Sequence, residues 1–226
     1  ITISTVSGQK YLCNTSSSTP SSSSENWQDG NGSTLTFDNL TPQTTYYIWT
    51  YIPKNDYYND SSVSSSLSVT TDQDTGEFTV SGENLANGTD YEYDSVLHTL
   101  TIKSNKSVTI SMKSGVSKVK QDQIVVADGI TANVTLNGVD IEIDIDKATK
   151  YRKDNGAIEI LGSGVLNLTI QGKNSLYGSC GIYVPVGATL GISGDSDDSL
   201  TAEGCDYSTG IGGRGNGTCG TVTIEG

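Results

Sequence analysis

The sequence predicts an all-β chain of two modules, a small β-sandwich followed by a parallel β-helix, on three observations. Apolar residues come in short alternating runs and never in a stretch that could cross a bilayer. Clusters of Ser, Asn, Asp and Gly punctuate those runs. One short strand pattern ending in glycine recurs through the second half. At 226 residues the chain exceeds what one small module needs, and with one Met, four Pro and little helical periodicity almost no helix is expected.

Residues 1–72 form the first module. The opening strand Ile1-Thr2-Ile3 is followed by a Ser-rich stretch from Thr15 to Ser24, the turn cluster Asp29-Gly30-Asn31-Gly32, and the strand pattern Ser33 to Phe37. The aromatic run after Thr45 alternates: Tyr47, Trp49 and Tyr51 share one face and Tyr46, Ile48 and Thr50 the other, so one set is core. With Tyr57 and Tyr58 this patch also offers ring faces for stacking on sugars; packing is the stronger account. The run Leu40-Thr41-Pro42-Gln43-Thr44-Thr45-Tyr46 resembles the Leu-x-Pro-x-Thr-x-Tyr turn of fibronectin type III modules. That resemblance implies an Ig/fibronectin-III-like sandwich with Tyr46 as its tyrosine corner, Trp27 as a core aromatic, and Ser64 to Thr71 as the closing strand.

Residues 73–226 form the second module. Ala132–Gly138, Leu166–Gly172, Ala188–Gly194 and Gly220–Gly226 share two apolar residues at i and i+2, a polar residue and a terminal Gly. A preceding strand supplies Ile124 and Val126, Ile158 and Ile160, Ile182 and Val184, and finally Ile211 as matching inward positions. A following strand supplies Val139, Ile141, Ile143 and Ile145, then Leu176, then Leu200 and Ala202. Three strands and three turns per repeat is the rhythm of a right-handed parallel β-helix, in which inward side chains of successive coils stack into ladders. The chain stops at Gly226 on a repeat terminus without a polar cap, so a longer polypeptide is expected.

This half resembles the solenoid domains of large surface proteins from gut Firmicutes, through Gly76 to Gly82, Gly88 to Tyr93, the core from Ile124 to Ile141, and Thr209-Gly210-Ile211-Gly212-Gly213. Some such relatives look like polygalacturonate-binding β-helix proteins. The resemblance implies a secreted or cell-surface location and carbohydrate binding or adhesion. Fold alone licenses little about activity, since pectate lyases share the architecture.

The net charge of −13, with Arg152 and Arg214 as the two arginines, argues against nucleic acid as a partner. Asp140, Glu142, Asp144 and Asp146 alternate with inward isoleucines and are expected on one outward face, adjacent carboxylates roughly 6–7 Å apart. They are the candidate ligand-binding stripe, and the basic loop Lys147, Lys150, Arg152 and Lys153 is the competing account, as ordinary surface ion pairs. Asp195, Asp197 and Asp198 are a candidate Ca²⁺ turn, with a solvated turn as the alternative. The glycines from Gly210 to Gly217 suit tight turns, since no helix follows to hold an anion. Four widely spaced cysteines and one histidine do not suit structural zinc; Cys180 and Cys205 are the first candidates for a disulfide between neighbouring coils, against buried thiols throughout. His98 has no nucleophile in a recognisable arrangement beside it, and Arg152 near the acidic stripe is the one pairing a lyase could use. The expected function is therefore a non-catalytic surface module that binds extended polysaccharide or acts in adhesion. A purely structural stalk and a Ca²⁺-dependent polysaccharide lyase are the alternatives.

Overall fold

The structure is a computed structural model and describes residues 1–143, 156–205, 208–214 and 217–225. Every regular element among them is a β-strand. Contacts divide the chain into two compact units, Ile1–Asp74 and Thr75–Gly226.

In the first unit β1 (Thr2–Ser4), β2 (Lys10–Asn14), β3 (Gln28–Asp29), β4 (Thr34–Thr36), β5 (Thr45–Tyr51) and β6 (Leu67–Thr70) form two antiparallel sheets, β1-β4 and β3-β2-β5-β6. Tyr11, Phe37 and Ile48 are buried between apolar residues of both sheets, Ile3 and Leu35 from one and Cys13 and Val69 from the other. The Tyr46 hydroxyl accepts the Thr41 N–H at 3.0 Å, tying the start of β5 to the turn before it.

Alternation along β5 buries both faces. Ile48 joins the core, while on the reverse side Trp49 is 3% exposed and Tyr51 is buried. The Ser-rich stretch reaches this reverse side. Trp27 sets its ring edge-on to Tyr51 at 4.7 Å and donates its indole N–H to the Ser21 carbonyl, and the Tyr51 hydroxyl donates to the Ser22 carbonyl. Trp27 is thus half-buried at the rim, where its N–H finds a backbone acceptor, and Trp49 is the buried indole.

Among the described residues the second unit holds three sheets. Sheet I holds β7 (Phe78–Ser81), β10 (Ser107–Met112), β12 (Thr131–Asn137), β15 (Val165–Gln171), β18 (Thr189–Gly194) and β21 (Thr221–Ile224). Sheet II holds β8 (Tyr91–Asp94), β9 (Thr99–Ile102), β11 (Gln123–Val126), β14 (Ile158–Ile160), β17 (Ile182–Tyr183) and β20 (Ile211–Gly212). Sheet III holds β13 (Asp140–Glu142), β16 (Lys173–Gly178) and β19 (Ser199–Gly204). From β9 and β10 onward every pairing is parallel, an arrangement compatible with a β-helix.

Register stacks the inward residues into ladders. Val108, Val134, Leu168, Ile192 and Ile224 are successive partners in sheet I. Leu100, Ile124, Ile158, Ile182 and Ile211 succeed one another in sheet II, and Ile141, Leu176 and Ala202 in sheet III. Most are fully buried, and each buried Leu or Ile contributes roughly 1.5–3 kcal/mol relative to exposure.

Two features depart from the sequence expectation. The ladders begin one repeat earlier, at β9 and β10, because Ser107–Met112 carries the inward apolar pair but no closing glycine. Ahead of them the chain reverses: β7 pairs antiparallel with β10 and β8 antiparallel with β9, placing the fully buried Phe78 over that end of the stack.

Candidate functional site

The outward face of sheet I is the most regular surface of the second unit. Parallel register sets side chains in rows, about 4.8 Å apart between strands and about 6.7 Å apart along each strand. One row is Ser81, Thr109, Thr135, Thr169 and Ser193. The flanking rows are Thr79, Ser111, Asn137 and Gln171 on one side, and Ser107, Asn133, Asn167, Gly191 and Thr223 on the other. The outermost row is Thr131, Val165, Thr189 and Thr221. Apart from Val165, every outward strand position is Ser, Thr, Asn, Gln or Gly; none is charged, in a chain of net charge −13.

Amides within this face are ordered by hydrogen bonds. Asn133 Nδ2 donates to the Asn105 carbonyl at 2.6 Å, and Asn167 Nδ2 donates to Asn133 Oδ1 at 2.9 Å. The face was legible in the repeats, because its residues are those between the inward apolar pairs. Charged residues drew the sequence reading elsewhere.

The acidic stripe lies in sheet III. Asp140 and Glu142 flank the buried Ile141 on β13, as alternation requires. Asp144 and Asp146, and the basic residues Lys147, Lys150, Arg152 and Lys153, lie outside the described residues. Among the described residues, the cations that meet Asp140 and Glu142 come from an earlier segment. Val119 bridges to Ile141 in parallel, which sets Lys118 and Lys120 beside Glu142, both in ion pairs, with Lys118 Nζ also 3.9 Å from Asp140. These ammonium groups hold the Glu142 carboxyl at about 2, and Lys106 with the Ser104 hydroxyl and the Ala86 N–H does the same for Asp90.

Both carboxyls are lowered on folding, so they stabilise the fold above the ordinary range near pH 4 and that stabilisation is lost as pH falls toward 2. Thermal melts are expected to show a falling midpoint across this window. The fall should be shallower in a Lys106→Met, Lys118→Met, Lys120→Met variant; an equal slope would contradict the assignment.

In the second acidic cluster Asp198 fastens a turn, Oδ1 accepting the Gly172 N–H at 2.7 Å and Oδ2 the Asp195 N–H at 3.1 Å. Both of its oxygens serve the backbone, and no group of three metal-ligating side chains is present among the described residues. The Cys180 Sγ lies against the Gly213 carbonyl and the Cys205 Sγ against the Ser179 carbonyl, and the two thiols point to different acceptors.

Two polar clusters have no local signature in the sequence. Asp122, with its side chain 2% exposed, accepts the Glu77 N–H at 2.6 Å, the Tyr93 hydroxyl at 2.7 Å, and approaches His98 Nδ1 at 2.9 Å. Gly76 permits this: its φ is +62°, and a Cβ there would collide with the Asp122 carboxylate and the Tyr93 ring. On sheet II, Arg214 lies over the Tyr183 ring at 3.8 Å and contacts Glu159 Oε1 at 3.3 Å. Burial pushes the Glu159 carboxyl up, and the Arg214 guanidinium opposes that shift.

Comparison with protein-family models, curated proteins and solved structures finds no match to this chain.

Proposed function

We propose that the chain is a non-catalytic, extracellular module of a surface protein that binds extended, uncharged polysaccharide along the outward face of sheet I. The observation that carries this reading is the uncharged hydroxyl and amide array across six strands of an otherwise acidic chain. Hydroxyls and amides donate and accept together, which matches the sugar hydroxyl, and a flat face many residues long accommodates a polymer that no closed pocket would. Single contacts of this kind are weak, and repetition along one polymer compounds them.

In this reading the second unit is a right-handed parallel β-helix, supported by the stacked ladders of its three sheets. The first unit is a fibronectin-III-like spacer, supported by the Tyr46–Thr41 bond and the β3-β2-β5-β6 order. Asp140 and Glu142 act as a fastening, since Lys118 and Lys120 occupy the space a cation beside them would fill.

Affinity electrophoresis of the chain through gels containing hydroxyethylcellulose, galactomannan, xylan or polygalacturonate tests the proposal. Saturable retardation is expected on neutral polymers, unchanged by chelator and by salt, because no ion pair or metal takes part. Retardation on polygalacturonate alone, abolished by salt or chelator, would overturn it in favour of the acidic and basic groups. Retardation by none would leave a structural stalk.

A further inference from the structure

The array on sheet I is interrupted once by the loss of a side chain. In the row Ser107, Asn133, Asn167, Gly191, Thr223, glycine stands where the two preceding strands carry asparagine. The gap is an open notch of about 370 Å³ bordered by Asn167, Thr169, Gly191, Ser193, Thr223 and Glu225, within the size range of small-ligand sites. The residue at 191 is not glycine for its backbone. Its φ is not in the left-handed region, and a Cβ there would meet nothing closer than Asn167 Oδ1 at 3.8 Å. Neither strain nor crowding forbids a side chain, so the missing side chain leaves open space on the face rather than relieving a clash.

The hydrogen bonds along the row give that space a polarity. Because the Asn105 carbonyl takes the Asn133 Nδ2, Asn133 Oδ1 is left to accept from Asn167 Nδ2, and Asn167 Oδ1 is left as the terminal acceptor. A third asparagine would continue the relay by donating to that oxygen; glycine leaves it facing the notch. Around it stand the hydroxyls of Thr169, Ser193 and Thr223, which donate or accept, and the Glu225 carboxylate, which accepts. Among the described residues the set is rich in acceptors and holds no cation.

We infer that the Gly191 notch is the principal sugar subsite of the sheet I face, seating one uncharged pyranose unit whose hydroxyls donate to Asn167 Oδ1 and Glu225. This rests on the polysaccharide-binding reading and deepens it, assigning a position and a donor-rich, uncharged ligand where the wider face assigns a polymer class. An anionic sugar would meet the Glu225 carboxylate without a countercharge and is disfavoured.

Gly191→Asn separates the two claims. The substitution extends the existing amide row, fills the notch and supplies the donor that Asn167 Oδ1 lacks. Its melting temperature is expected to equal or exceed that of the parent chain, while retardation on hydroxyethylcellulose or galactomannan falls at least tenfold. Glu225→Gln, which keeps the shape but removes the stronger acceptor, is expected to weaken retardation several-fold. Parental retardation by Gly191→Asn would overturn the subsite and leave the wider face as the binding surface. Absence of retardation for the parent chain on every neutral polymer would overturn both.

Discussion

Replacing Asp122 by alanine is expected to destabilise the second unit by about 3 kcal/mol, because it removes a buried carboxylate that half-buried donors share. The carboxylate accepts from the Glu77 N–H and the Tyr93 hydroxyl and meets the His98 ring, joining the entry to β7, strand β8 and the start of β9 to the residue before β11. These are the elements that reverse over the first ladder rung, so their loss exposes Phe78 and the apolar residues stacked on it. The expected fall in melting temperature is roughly 6–12 °C, given the usual 2–4 °C per kcal/mol for chains of this size. Asp122→Asn presents an NH₂ to at least one of the donors and is expected to recover little of the loss. Denaturant melts of the full chain, with hydrogen exchange read at Phe78–Ser81, provide the measurement. A loss below about 1 kcal/mol would mean that solvent satisfies these donors as well as Asp122 does.

What was legible in the sequence follows from what alternation encodes. A two-residue period with a closing glycine identifies a strand and its inward side, so the ladder residues from Ile124 onward could be aligned by eye, as their register shows. The same period carries no direction. Phe78-Thr79-Val80-Ser81 alternates as the later strands do, and nothing local states that it runs antiparallel. Nor does alternation say which side of a strand is covered. Along β5 it separated Ile48 from Trp49 correctly, yet both are buried, because a Ser-rich segment remote in sequence reaches the second face.

Charge partners were the least legible. The acidic residues on β13 were read with the basic loop that follows them, which lies outside the described residues; the described partners are Lys118 and Lys120 on an earlier segment, set by the bridge between Val119 and Ile141. Asp122 gave no sign of its role, since its partners stand at Glu77, Tyr93 and His98 and meet only when β8 folds back on β9. The sheet I face was different: its Ser, Thr and Asn rows are written directly between the inward residues of each repeat, and parallel register turns a repeated pattern into a continuous surface.

The second large effect concerns that surface. Thr109, Thr135 and Thr169 are adjacent in its hydroxyl row, each outward and each on a different strand. Replacing all three by valine keeps β-branched shape and strand preference while removing the hydroxyls, so the fold is expected to stay within about 1 kcal/mol of the parent. Each hydrogen bond lost to a ligand is worth about 0.5–1.5 kcal/mol, so together they amount to roughly tenfold in affinity or more.

Affinity electrophoresis of this triple variant beside the parent chain, on the neutral polymer that retards the parent most, tests the central claim most directly. The account predicts that retardation falls at least tenfold while the melting temperature is preserved. Undiminished retardation by a folded triple variant would contradict it and move the binding surface off sheet I.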